Sequence, residues 1–404
     1  MFIEIDNSPR DYAWGSIHAI ADLRGVAPTG GPQAELWLGA HPGSPSRIIN
    51  PSHTGGAVTL AEWIAADPRT AVGERQKLPF LLKVLAAETP LSIQVHPSRE
   101  QARSGFAREN AEGIPLDAPH RNYRDDSHKP ELIYCVSESF HALWGIRDIS
   151  HTLSVLRGFI DAGQAARLST DAIEWLAGHL DAHHGDVRDA LALLLEPQSV
   201  PAQNLVAQLV AVAHTVSPGS SLARDANTVL LLGSTYPGDP GIGVALLMNR
   251  VELARGDVLF VPHGVLHAYL SGLGMEIMAS SDNVLRGGLT TKHIDVPELL
   301  RIGVFEPGNP VLLPGNSVAH GVTRFSPDVP EFELVHVCVE GDSPGVELET
   351  QGPAIVFCVR GDARIQGRLE SARVSRGRAF FVTPDERSLR IDGNAELFFA
   401  LTGH

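Results

Sequence analysis

Possible ligands for a cation fall in three short stretches of the chain. In Leu91-Ser-Ile-Gln94-Val-His96-Pro97 a strand would alternate its faces, so Gln94 and His96 point one way, Val95 the other, and Pro97 ends the pairing. A hydrogen-bonded polar pair is the simpler reading of these two alone, because 18 histidines make such spacings common. In His128-Lys129-Pro130-Glu131 a carboxylate opens a strand beside an ammonium. Such pairs are usually solvated, but Pro130 fixes φ and stiffens the backbone around groups that must be aimed. In Pro262-His263-Gly-Val-Leu-His267-Ala-Tyr269, His267 and Tyr269 share a strand face after a glycine turn, with His263 left in the turn. Together Gln94, His96, Glu131 and His267 offer two imidazoles, a carboxylate and an amide oxygen, a set that suits a catalytic divalent ion such as Zn, Mn, Co or Fe. Glutamine is an uncommon zinc ligand, so the residue types alone favour no single metal.

A fourth stretch, Met275-Glu276-Ile-Met-Ala-Ser-Ser281-Asp282-Asn283-Val-Leu-Arg286-Gly287-Gly288-Leu-Thr-Thr-Lys292, places two cations around glycines and hydroxyls. A phosphate group asks for cationic donors, hydroxyls and a backbone free to approach closely. The order is not that of a P-loop, and a charged surface loop accounts for the same residues equally well. The cation inventory is more pointed: Lys77, Lys83, Lys129 and Lys292 are the four lysines, against 28 arginines. Compositional drift would leave such survivors, and so would a need for a compact ammonium of tunable pKa, which a guanidinium cannot replace.

The elements that would position these residues change character along the chain. Residues 1 to 148 read as β-rich, with strands at Phe2 to Ile5, Leu36 to Leu38, Phe80 to Ala86, Leu91 to Val95 and Leu132 to Val136. From Ile149 to Leu232 the apolar period becomes helical, predicting four or five helices, with a start at Ser169-Thr170-Asp171 and breaks at Pro197, Pro201 and Pro218. Strand patterns return at Val244 to Leu253, Val258 to Val261, Ala268 to Leu270, Glu333 to Val339, Ala354 to Val359 and Leu397 to Leu401. Leu253-Ala-Arg-Gly-Asp-Val-Leu-Phe-Val-Pro262 is echoed by Val374-Ser-Arg-Gly-Arg-Ala-Phe-Phe-Val-Thr-Pro384, which implies two copies of one β-unit. The second copy runs on into Asp385-Glu-Arg-Ser-Leu-Arg with no histidine, so the C-terminal unit is expected to lack the ligands for an ion and one metal per chain is expected.

Bulk properties exclude several classes. At 404 residues, 43% hydrophobic and 20% charged, the chain is long enough for two or three packed units. A net charge of −15 opposes nucleic acid and anionic membrane, and no apolar run approaches the roughly 18 residues of a membrane span. Three cysteines, Cys135, Cys338 and Cys358, lack C-x-x-C spacing and fit a reducing compartment, so a cytoplasmic protein is expected.

Ala34-Glu-Leu-Trp-Leu-Gly-Ala-His-Pro42, Leu78 to Ala86, Leu91 to Pro97, His128 to Glu131, Gly145-Ile-Arg147, His267 to Gly272 and Ala279 to Arg286, taken in order, resemble the type I phosphomannose isomerases. The resemblance implies a mainly β fold of two cupin-like jelly-roll domains with an all-α helical insert. The catalytic cupin would be residues 1–148 plus 233–312, the insert 149–232, and a metal-free cupin-like domain 313–404. It also implies interconversion of mannose 6-phosphate and fructose 6-phosphate, and so a small sugar phosphate as partner; a monomer that binds neither nucleic acid nor membrane is expected. The implied zinc ligands are Gln94, His96, Glu131 and His267, and further implied site positions are Trp14, Lys83, Ser92, Lys129, Tyr269, Glu276, Asp282, Arg286 and Lys292, which brings three of the four lysines into one pocket. Gly287 and Ile146 depart from the family pattern without touching a ligand.

An aldose-to-ketose shift passes through an enediol whose oxygens carry developing negative charge. On this reading zinc orients or polarises the sugar oxygens, Arg286 meets the enediolate, and Lys83, Ser92 and Lys292 take the phosphate. Glu276 is the first choice for the proton carrier, with Lys129, Asp282 and His128 as rivals. A sugar-phosphate-binding cupin without catalysis and a metal-dependent cupin oxygenase are the competing classes. The first would have lost a ligand or the arginine, and the second would want an apolar pocket.

Overall fold

The computed structural model describes residues 1–183, 185–197, 199–341 and 344–403. The described residues form two ten-stranded antiparallel sheets and a minority of helix. No described helix is long and apolar enough to cross a membrane.

The first sheet is organised around the strand His267–Ala279, which pairs with four others. Its start lies against Gln94–Val95 (His267 opposite Gln94), and its second half runs between Phe80–Ala87 (Glu276 opposite Lys83) and Glu131–Cys135 (Met278 opposite Glu131). Directly opposed residues share a sheet face, so this one strand fixes the relative positions of three of the predicted motifs. Phe80–Ala87 reads FLLKVLAA and is buried at every position, so Lys83 is the single charge in an apolar strand. Leu285–Arg286 completes the arrangement, with Arg286 opposite Gln94.

Between residues 149 and 235 the described residues form five helices: Ile149–Ala165, Asp171–Ala182, Val187–Leu195, Val200–Ala213 and Ala223–Thr235. They pack apolar faces on a core shared with Ile93, Val95, Leu266 and Leu285, so the helical segment buttresses the back of the site strands. Pro201 does not break a helix; it sits in the first turn of Val200–Ala213, where its missing N–H has no partner to lose.

Other expectations also need correction. Only Gln94–Val95 of the predicted Leu91 to Val95 strand is ladder-paired, and the rest is extended chain tied by Leu91 N–H to Tyr269 O and Ile93 N–H to Gly288 O. Val244 to Leu253 is not one strand: Gly241–Leu246 is a short buried helix and the strand starts at Met248. A fully buried apolar run carries no periodicity to separate the two states. The first 148 residues also hold the helices Ala19–Arg24, Leu60–Ala66, Pro68–Val72 and Arg99–Ala111. The last buries only Ala102, Gly105 and Glu109, too narrow a stripe to show, although its Ser98/Gln101 capping box is readable in the sequence.

The internal echo is a matching set of pairings. Glu131–Cys135 and Ser139–Ile146 pair with Val258–Val261, Met248–Ala254 and His267–Ala279 as the single strand Ala354–Gln366 pairs with Ala379–Val382, Ser371–Ser375 and Ser388–Leu401. The echoed glycines, Gly256 and Gly377, both turn at positive φ (95° and 78°), which is why glycine recurs there. The sheets do not follow the expected partition throughout, because Phe2–Asp6 and Arg47–Ile48 lie in the second sheet, Phe2–Asp6 pairing with Ala379–Val382. Strand patterning does not say which sheet edge a strand will cover.

Candidate metal centre and active site

His96, just past the strand Gln94–Val95, Glu131 at the head of its strand, and His267 at the head of its own converge so that one ligand atom from each lies within 4.8 Å of the others, all three residues buried. Glu131 Oε1 is 3.4 Å from His96 Nε2, and Oε2 is 3.2 Å from His267 Nε2. Each imidazole is aimed by its other nitrogen: Nδ1–H of His96 donates to Asn283 O (2.8 Å) and that of His267 to Val265 O (3.1 Å). This leaves both Nε2 lone pairs directed inward, the orientation seen in metal-ligating histidines. Gln94 reaches the same cavity, its amide Nε2 donating to Ser92 Oγ (3.4 Å), which frees its oxygen to ligate. His96 Nε2 is buried with no hydrogen-bond partner, a costly state for a polar atom unless an ion takes it. Burial, then Lys129, pushes His96 down to about 4, so its lone pair stays available at neutral pH. The residues present therefore fit a divalent ion with N/O ligands.

Carboxylates and ammonium groups alternate around this triad. Lys129 Nζ is 2.7 Å from Glu131 Oε1. Lys83 Nζ is 2.9 Å from Glu276 Oε2 and 3.5 Å from Glu35 Oε1, with the Trp37 ring 5.1 Å away. Burial pushes the Lys83 ammonium down, but Glu276, Glu35 and Glu131 outweigh it and hold the lysine charged. Two carboxylates share that one ammonium, and burial drives Glu276 up against the pull of Lys83. The Tyr269 hydroxyl is buried without a hydrogen-bond partner, and burial together with Glu276 and Glu131 keeps it protonated. These side chains, with Ser92 and Gln94, line a cavity of about 50 Å³. That is far below the roughly 300–1,000 Å³ of ligand pockets, so a hexose phosphate must extend out of it.

Outward lies a cationic rim. Arg286, half-buried beside Gln94, is depressed by burial and then by Arg124; Lys292 is depressed by burial, Arg286 and Arg124. Among the described residues none of these three carries an ion pair. The same mouth holds Asp282, whose Oδ1 is 3.4 Å from His41 Nε2. Gly43 N–H donates to His41 Nδ1 (3.1 Å), so the His41 proton is on Nε2 and faces Asp282.

The predicted residues are thus divided between two zones. Lys83 and Lys129 line the cavity, whereas Lys292 is at the exposed rim. Lys83 is neutralised by its carboxylates and lacks free charge for a phosphate. His128 turns away, with Nε2 3.0 Å from Glu331 Oε1. Trp14 is outside the cavity lining and packs on the cluster that contains Leu91 and Tyr269. Glu35, His41, Asn283 and Arg124 were missed; the first two stand in the Ala34 to Pro42 motif, where their residue types were the available signal.

Fold and site together define a β-rich protein with a buried His/His/carboxylate centre for a divalent ion beneath an anion-attracting mouth. A model of the phosphomannose isomerase type I catalytic domain matches residues 2–149. The chain is 36% identical over 400 residues to the mannose-6-phosphate isomerase of Shigella flexneri (97% of each chain) and 31% identical over 423 residues to mannose-6-phosphate isomerase 1 of Arabidopsis thaliana (97% of this chain, 92% of that one). It superposes over the full length of both chains, at 34% identity and a TM-score of 0.86, on a crystal structure of mannose 6-phosphate isomerase bound with zinc and yttrium. The chain belongs to the mannose-6-phosphate isomerase family.

Proposed function

We propose that the chain interconverts mannose 6-phosphate and fructose 6-phosphate as a zinc-dependent aldose-ketose isomerase. The observation that carries this reading is the buried His96/Glu131/His267 triad beneath three unpaired cations, a site for an ion and for an anionic sugar at once. Gln94, His96, Glu131 and His267 would hold the zinc. When bound, it would polarise the sugar oxygens at C1 and C2 and stabilise negative charge on them.

The remaining work falls to the chain's own groups. Glu276, buried and gripped through Oε2 by Lys83, removes the proton from C2 of the aldose and returns it to C1, while the hydroxyl proton passes from O2 to O1 and the carbonyl double bond moves from C1 to C2; Lys83 positions the carboxylate. Lys129 steadies the Glu131 carboxylate, and Arg286, on the sheet face of Gln94, meets the oxyanion that develops in the enediolate. Because Lys83 has no free charge, the phosphate goes to Lys292 and Arg124, with Ser92 left to orient Gln94. Asp282, fixed by His41, faces the sugar hydroxyls from the mouth, and Trp14 and Tyr269 shape the apolar wall.

The same reading divides the chain into a cupin-like jelly roll, residues 1–148 plus 233–312, a helical insert, 149–232, and a second jelly roll, 313–404, to which the first strand is attached. The repeated pairings support this division. A cytoplasmic monomer is part of it, and the three free cysteines fit that compartment. Binding without catalysis is disfavoured because no ligand is lost, and oxygenase chemistry because the cavity is lined by ionised groups. Isomerisation of mannose 6-phosphate by the purified chain, abolished by a chelator and restored by zinc, is the expected result; turnover unaffected by metal removal would overturn the zinc assignment.

A further inference from the structure

Three described groupings of histidine, cysteine and carboxylate side chains are close enough to surround an ion: the triad above, His336/Cys338/Glu396, and His179/His183/Asp189. The second is committed elsewhere. Its Glu396 carboxylate already accepts from Arg255 (3.0 and 3.1 Å), lies 3.5 Å from Arg360 Nε, and contacts His336 at 3.0 Å. A cation would enter a ring of positive charge there, so the grouping is an ion-pair network.

The third is different. His179 and His183 are one helical turn apart at the C-terminal end of Asp171–Ala182, and their rings are stacked, centroids 4.4 Å apart. Asp189 reaches them from the first turn of the next helix, Val187–Leu195, its Oδ2 3.0 Å from His179 Nε2. Despite that distance the nitrogen has no hydrogen-bond partner, and the atom is shielded from solvent. Among the described residues three buried imidazole nitrogens lack a partner: His96 Nε2, His141 Nδ1 and His179 Nε2. Two of the three, His96 and His179, sit beside a carboxylate and a second imidazole, and His96 belongs to the metal triad. The partial negative charge at a helix C-terminus adds to the attraction for a cation, and His183 is the C-cap residue.

We propose that His179, His183 and Asp189 form a second divalent-metal site, of imidazole and carboxylate ligands, that clasps the turn between these two helices. Zinc suits the donor set, with copper(II) and nickel(II) also accommodated by two imidazoles and a carboxylate. The ion would join two helices whose described link is a turn through Gly185 at positive φ.

The test is zinc stoichiometry of the full chain, dialysed against a chelator-buffered excess of free Zn²⁺ and measured by metal analysis. The native chain should hold two equivalents. His183→Ala and Asp189→Asn, both at exposed positions, should hold one and isomerise at the native rate. Added Zn²⁺ should raise the Tm of the one-zinc native protein but not that of His183→Ala. A single equivalent in the native chain, or two that persist in His183→Ala, would overturn the proposal. The active-site assignment is judged separately by His267→Ala, which should lose one equivalent and keep the one that depends on His183.

Discussion

Asn283 does for the metal centre what no ligand can do for itself. Its side chain accepts from the N–H groups of Arg124 and Asp125 and donates to the carbonyls of Asp125 and Ser127, so its own carbonyl is locked in place for His96 Nδ1–H. Asn283→Ala should therefore weaken zinc binding about 10- to 100-fold, read by chelator competition, with all four ligands intact. Arg286→Ala should lower kcat far more than it raises KM, by about 2.7–4 kcal/mol in the barrier; a pure KM effect would move Arg286 to the phosphate. Lys129→Arg should lose much of kcat/KM with its charge kept, since the cavity around Glu131 is too small for a guanidinium, whereas Lys292→Arg, at the open rim, should lose less. The proposed ligands are legible because each sits in a stretch of unusual residue types. Asn283 and Arg124 were not, because their meaning lies in contacts such as Arg124 N–H to Asn283 Oδ1, 159 positions apart.

A helix that the apolar pattern conceals still contributes to the site's support. Arg99–Ala111 lies with Gly105 against the Tyr123 ring, where an added Cβ would stand 2.4 Å from a ring carbon. Tyr123 in turn reaches Glu298, which Arg108 and Arg301 also hold. Alanine is about 1 kcal/mol better than glycine in a helix interior, but forcing the Tyr123 ring aside costs about 1–3 kcal/mol. Gly105→Ala should thus lower the Tm rather than raise it, and a higher Tm would show that the ring gives way freely. The helices after residue 148 were legible because wide apolar faces repeat every turn, and the site strands because short, largely apolar stretches are bounded by turn residues. Gly241–Leu246 escaped because all six residues are buried, so its composition matches that of a core strand.

Across the whole molecule the two sheets are joined by charge as well as by apolar packing. Arg255, in a turn of the first sheet, reaches Glu396 of the second, and Tyr134 packs on Phe398 and His336. Burial pushes His336 down, yet Cys338 and Glu396 outweigh it and raise it to about 9; the contact with His336 lowers Glu396 to about 2 against the effect of burial. The His336 contribution is complete below its ordinary value of 6.5 and is lost as pH rises through about 9, while that of Glu396 is complete above 4.5 and is lost as pH falls through about 2. Melting scans should show a Tm several degrees lower at pH 10 than at pH 6, with a smaller fall in His336→Gln; equal falls in both would place the alkaline sensitivity elsewhere. The duplication was legible in one glycine turn, but the membership of Phe2–Asp6 in the second sheet was not, since it depends on partners some 375 positions away. That separation sets a timetable for a nascent chain. At roughly 5–20 residues per second, a ribosome finishes Ala379–Val382 about 20–75 s after Phe2–Asp6 has been made. For all that time Phe2, Ile3 and Ile5 are sticky and without their destination, so crowded polysomes or concentrated refolding would let one molecule's leading strand close the sheet of another.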